Sequence, residues 1–123
     1  MPKYNVLSED FARGVGLFND AKFFEAHEVL EDIWRAAPVE RKKFLQGLVQ
    51  VAVAFHHHST GNRVGMRSVM ERAMRNLGGY PGRFGGVELA RLLESLAHWR
   101  QAMDGGQPLP RLPRIELDEV RED

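Results

Sequence analysis

The chain has 123 residues, 43% hydrophobic and 28% charged, with 17 Lys+Arg balancing 17 Asp+Glu. That size allows one domain burying about two-thirds of the surface its unfolded form exposes, and the composition excludes disorder, collagen and coiled-coil extremes. Zero net charge removes the global attraction on which a general nucleic-acid binder relies, and zero Cys removes disulfides, thiolate zinc sites and cysteine nucleophiles.

Ser8 reads as an N-cap with Glu9 and Asp10 in the first turn, and Phe11, Val15 and Phe18 recur at helical spacing to about Asn19. Asn19 or Asp20 then caps a second helix over about 21–36, stopped where Pro38 disfavours helical geometry at Ala37. Pro38 serves as the first-turn residue of a third helix to about His58, ended by Gly61 and Asn62. A fourth helix over 64–77 places Met66, Val69, Met70, Ala73, Met74 and Leu77 on one face, opposite Arg67, Glu71, Arg72 and Arg75. The glycine-rich run 78–86 is expected to be a loop. A fifth helix over 87–103 buries Leu89, Leu92, Leu93, Leu96 and Trp99 or Met103, and Gly105-Gly106 ends it. Pro108, Pro110 and Pro113 keep the tail extended, and its acidic end is expected to fray. No strand pattern stands out. The expected fold is all-α: a five-helix, mostly antiparallel bundle over 1–104, followed by an extended, acidic, proline-rich tail over 105–123.

The longest apolar run, Val51 to Phe55, is far shorter than the roughly 20 residues of a membrane span. Met1–Ser8 has no signal-peptide character, so the expected compartment is the cytoplasm. Seven arginines fall in 63–100, but they are spread over two helices and a loop, as solvated faces are, and nucleic acid is not the expected partner. A homodimer is one assembly open to a bundle with apolar helices.

Two polar stripes interrupt faces that ought to be apolar. On the second helix His27 and Glu31 share a side with Phe23, Leu30 and Trp34, while Glu25, Glu28, Asp32 and Arg35 point outward. On the third, apolar nearly all round, Gln46, Gln50 and His57 form one narrow line beside Val53. Buried polar groups need partners, and the simplest packing sets His27 and Glu31 against Gln46, Gln50 and His57. Such a cluster has several readings. It is a structural hydrogen-bond network with the Trp34 indole donating; or a divalent-metal or small-ligand site with His27, His57 and Glu31 as ligands; or an acid–base centre if a cleft reaches it. Otherwise the stripes face different neighbours and never meet.

Other motifs dissolve. His27-Glu28 does not begin a zinc-protease HExxH, because Glu31 stands where the second His belongs, and the chain contains no Glu-x-x-His. Of His56-His57-His58 only His57 joins the glutamine line, so His56 and His58 are expected at the surface. Met66, Met70 and Met74 read as core.

The runs Phe24-Glu25-Ala26-His27-Glu28-Val29-Leu30-Glu31-Asp32-Ile33-Trp34-Arg35 and Phe44-Leu45-Gln46-Gly47-Leu48-Val49-Gln50-Val51-Ala52 resemble domain of unknown function family 309, known by an HxxxExxW motif that His27, Glu31 and Trp34 match. The likeness continues through His57, Gly61-Asn62 and Gly65, covering about 11–77. It implies an all-helical fold whose first hairpin looks like a tetratricopeptide-type pair, and no established activity.

Two functions follow as expectations. The first is a half-buried pocket of His27, Glu31, Gln46, Gln50 and His57, edged by Trp34 and Asn62, that holds a metal ion or small polar ligand. The second is a non-enzymatic helical-hairpin adaptor for a protein or peptide, with the polar cluster only setting helix register. Neither names a reaction.

Overall fold

A computed structural model of the protein describes residues 2–118, with side chains described from residue 9 onward. The elements run α1 (Pro2–Asn19), α2 (Phe23–Arg35), α3 (Val39–Ser59), α4 (Arg63–Leu77), β1 (Arg83–Phe84), β2 (Val87–Glu88) and α5 (Leu89–Gly105). The bundle is all-α apart from a two-stranded hairpin. Turns 20–22, 36–38 and 60–62 are so short that α1 to α4 pack as successive antiparallel neighbours. No helix among the described residues is long and apolar enough to cross a membrane.

The helix ends depart from expectation in instructive ways. Helix one begins at Pro2, which puts Ser8 inside α1 and not at its cap. Neither Asn19 nor Asp20 caps α2. Its N-cap is Lys22, after Ala21 in the left-handed region at φ 64°, and no side chain caps it. Pro38 takes the N-cap position of α3, one place earlier than its expected role. Asn62, expected only to help end the third helix, caps α4 by accepting from the Gly65 N–H at 2.9 Å.

The core is stitched by aromatic edges. Phe18 meets Phe23 at 5.1 Å between ring centroids, Phe23 meets Phe55 at 5.9 Å, and Phe55 meets Trp99 at 5.0 Å, which ties α1, α2, α3 and α5 together. At the other end of α3, Phe44 lies against Phe84 at 4.9 Å and Tyr80 at 5.7 Å.

The glycine-rich run is not only a loop. Phe84 pairs with Val87, leaving Gly85 and Gly86 as a two-residue turn with φ of 60° and 81°. Two successive positive φ values match a type I′ turn, the hairpin turn whose twist suits the flanking strands. Gly-Gly between short β-compatible residues is itself a hairpin signal, and it passes unnoticed when five glycines in nine residues are read as punctuation. Helix five accordingly starts at Leu89, after β2, and not at Val87.

The expected extended tail is extended, and through residue 118 it is well anchored. Trp99 Nε1 donates to the Arg111 carbonyl at 2.8 Å. Asn19 clamps Ile115 from both sides, Nδ2 donating to its carbonyl at 3.0 Å and Oδ1 accepting from its N–H at 2.8 Å. The Glu88 N–H donates to the Glu116 carbonyl at 2.9 Å and the Asp118 N–H to the Gly86 carbonyl at 2.8 Å, with Val87 bridging Leu117 in antiparallel sense. The tail thus lies along the hairpin edge. The expected frayed end, 119–123, falls outside the described residues.

Where tail meets hairpin, the Asp118 and Glu88 carboxyls share a hydrogen bond. Two carboxylates cannot both accept, so the bond forms when one of them carries a proton. The bond to Asp118 and the Arg83 guanidinium, 3.1 Å away, hold Glu88 below its ordinary value, while the bond to Glu88 and burial push Asp118 up.

Two outcomes are expected. Asn19→Ala should lower stability in denaturant by about 1–3 kcal/mol, two hydrogen bonds at their usual net worth, and speed hydrogen exchange at the Ile115 amide. The second concerns pH. With its pKa raised, Asp118 contributes stability that is complete below the ordinary Asp value near pH 4 and lost as pH climbs through the raised one. With its pKa lowered, Glu88 contributes stability that is present above its ordinary value and lost as pH falls through the lowered one. Asp118→Asn donates at every pH, so its Tm advantage over the unaltered protein should grow from about pH 4 to pH 7 in thermal melts.

Candidate functional site

Helix α2 buries Phe23, Ala26 and Leu30 and leaves His27, Glu31 and Trp34 half-buried along the flank beside α3. Two contacts fix that orientation. The Lys42 ammonium of α3 sits 5.4 Å from the Trp34 ring centroid and donates to the Trp34 carbonyl at 2.6 Å. At the other end of α2, Phe24 stacks within 5.6 Å of His27 and 5.5 Å of His56. His27 Nε2 lies 3.6 Å from Glu31 Oε1, and Glu31 Oε2 lies 3.6 Å from the exposed Arg35 guanidinium. The expected imidazole–carboxylate pair therefore forms, one turn apart on a single helix.

Helix α3 is the central rod. Phe44, Leu48, Val51 and Phe55 point inward, and about 180° round the helix lie Gln46, Gln50, Val53 and His57, all half-buried. The glutamine line is thus the outward strip of a helix flanked by α2 and α4. Its hydrogen bonds go to α4. Gln50 Oε1 accepts from Asn76 Nδ2 at 2.8 Å, and His57 Nδ1 stands 3.3 Å from Asn62 Nδ2. Because Asn62 Oδ1 is committed to the Gly65 N–H, its amide nitrogen faces His57 as a donor. Nδ1 of His57 therefore accepts, and a neutral ring carries its hydrogen on Nε2.

The cluster expected from the sequence is accordingly divided. His27 and Glu31 pair within α2, Trp34 takes Lys42, and Gln50 and His57 turn to α4. The set His27, Glu31 and His57 is not assembled as metal ligands; among the described residues no group of three or more His, Asp or Glu side chains could hold an ion. The physical reason is the wheel of α3: residues at the angle of Gln50 and His57 lean toward α4, while those facing α2 are Leu45, Val49, Ala52 and His56. The contact between Phe24 and His56 shows that side. His56 and His58, expected at the surface, are only partly exposed. Both are half-buried, His56 on Phe24 and His58 with its ring 5.1 Å from Trp99.

Asn76 and Val69 belong to this face and were not singled out from the sequence. Val69 read only as core, and Asn76 sat beside the arginines of α4. Asn76 follows Ala73 by three positions at the edge of the apolar stripe, which was the available signal. What the face offers chemically is carboxamides, Gln46, Gln50, Asn62 and Asn76, around Val53 and Val69, with one His–Glu–Arg chain along the rim.

This division has a measurable signature. A double-mutant cycle between Gln50→Ala and Asn76→Ala should show coupling of about 0.5–1 kcal/mol, whereas Glu31→Gln combined with Gln50→Ala should add to within about 0.5 kcal/mol. Glu31→Gln alone should cost less than about 1 kcal/mol, because its partners are solvent-screened.

The chain is 39% identical over 56 residues to the uncharacterized protein YpuF of Bacillus subtilis (strain 168), covering 45% of this chain and 32% of that protein. It is 29% identical over 92 residues to an uncharacterized protein of Aquifex aeolicus (strain VF5), covering 74% of this chain and 28% of that one. The chain thus spans about a third of the length of the curated relatives it matches. Over residues 11–69, from within α1 to the middle of α4, the chain matches the family model of the domain of unknown function DUF309.

Proposed function

We propose that the outward face of α2, α3 and α4 is a docking surface for an extended polypeptide segment, and that the protein acts as a non-enzymatic adaptor. The observation that carries this reading is the row Gln46, Gln50 and His57, half-buried on the outward side of the most buried helix and flanked by Asn62 and Asn76. A carboxamide presents one acceptor and two donors in a plane, the complement of a peptide group. Val53 and Val69 give apolar footholds between the amides, and α5 and the tail pack elsewhere in the fold. That the matched unit is a minority of two longer relatives suits a module that works beside other elements.

The rival is a small polar ligand or metal ion held by His27, Glu31 and His57, with Trp34, Gln46, Gln50 and Asn62 around it. It requires the Asn62–His57 contact to break and His57 to swing toward α2.

A photo-crosslinking amino acid at Val53 separates the two. Docking predicts a crosslinked polypeptide in cell extract that is lost when Gln50→Arg is added and is not formed by the same group at His98, exposed on α5. Equal labelling at both positions, or none at Val53, overturns the proposal. So does stoichiometric metal in untagged protein that disappears with His27→Ala.

A further inference from the structure

Where α2 gives way to α3, a cleft of about 530 Å³ opens beside the hairpin turn. Its volume lies within the roughly 300–1,000 Å³ typical of small-molecule sites. Phe11 of α1, Ile33 of α2, and Phe44 and Leu45 of α3 make apolar walls, and the Ala36-Ala37-Pro38 connector closes one end. These residues point away from the outward strip of α3, so the cleft is separate from the docking face and does not rest on that reading.

The opening owes its shape to the glycine turn. A Cβ on Gly85 would stand 2.9 Å from Phe44 Cε2, and φ of 60° already excludes most side chains there. Gly85 and Gly86 therefore bring bare backbone to the cleft's edge, and a side chain at Gly85 would collide with the Phe44 wall.

One charged residue lines this apolar space, Arg41. Among the described residues its guanidinium has no carboxylate within ion-pair distance. Glu40 next to it is about 100° round the helix and is not part of the lining. Arg41 also belongs to the first turn of α3, whose N-cap Pro38 has no side chain able to cap the leading N–H groups. An unpaired guanidinium thus places positive charge at the rim of an apolar cleft.

We infer that this cleft binds a small amphipathic monoanion, an apolar aliphatic or aromatic body bearing one carboxylate. The guanidinium fork matches a carboxylate with two parallel hydrogen bonds. A single cation beside apolar walls matches a singly charged group, whereas it would pair only one of the two charges of a phosphoryl dianion. Phe11, Ile33 and Leu45 take the hydrocarbon.

Octanoate is the probe and octanamide its neutral counterpart. Titrating octanoate should move NMR signals of Ile33, Leu45 and Gly86 saturably, with affinity at least about tenfold above that of octanamide, the worth of a charge-assisted pair. Arg41→Gln should erase that difference and leave octanamide unchanged within about twofold. Ala37→Trp, which fills the cleft, should weaken both probes, and should it fail to fold, the map on the unaltered protein decides. Equal affinity for acid and amide overturns the inference. So do shifts spread evenly over the basic surface, or none up to about 10 mM.

Discussion

Helices α3 and α4 meet at Gly47, and the rest of the molecule is arranged around that approach. A Cβ there would fall 2.6 Å from Leu77 Cγ and 2.7 Å from its Cδ2, with both residues fully enclosed. Glycine inside a helix costs about 1 kcal/mol relative to alanine, whereas overpacking a well-filled core costs about 1–3 kcal/mol. The balance favours the glycine. With α4 drawn in at this point, Asn76 comes within reach of Gln50 at one end of the contact and Asn62 within reach of His57 at the other. The polar strip of α3 is thereby satisfied on its α4 side, and α2 is left to settle its own polar groups internally.

That division separates two sides of the bundle. On the inner side the Phe18, Phe23, Phe55 and Trp99 edges bind four helices, and the tail is locked over them by Asn19 and Trp99. On the outer side are half-buried amides, two valines and a screened His–Glu–Arg chain. The inner side carries the hydrophobic driving force. The outer side carries little of it, which frees its residues to be chosen for what they contact. The α4–α5 boundary is again different. There Arg67 holds Asp104 at 2.7 Å and Arg100 reaches Glu71 at 3.3 Å, an ionic seam across helices that share less apolar contact.

Within each helix, the chemistry was legible wherever local periodicity suffices. The apolar series Met66, Met70, Ala73, Leu77 is buried as the 3.6-residue repeat demands, and Trp99 occupies the core. His27 and Glu31 do meet, because i and i+4 on a helix are neighbours whatever surrounds them. Which helix each stripe faces is another matter. An angle of 20–40° on the wheel of α3 decides between α2 and α4, and periodicity within one segment carries no information about the azimuth of its neighbours. His56 and His58 show the same gap, since their divergence from the glutamine line on the wheel of α3 points both to solvent, whereas Phe24 and Trp99 lie against them.

From the order of residues alone came the all-helical class, five segments of which four lie within a few residues of their limits, the buried faces, the likeness to the 309 family and the candidate polar residues. These follow from short-range rules: backbone hydrogen bonds, capping and the alternation of apolar with polar groups act over a few positions. Only tertiary packing decided that the glutamine row turns to α4, that Asn19 serves the tail and not a helix start, that the tail lies along the Gly85-Gly86 hairpin, and that an apolar cleft with a single cation opens beside that turn. Each depends on two segments distant in sequence meeting at a particular angle, and that angle is set by side-chain volumes summed over the whole core.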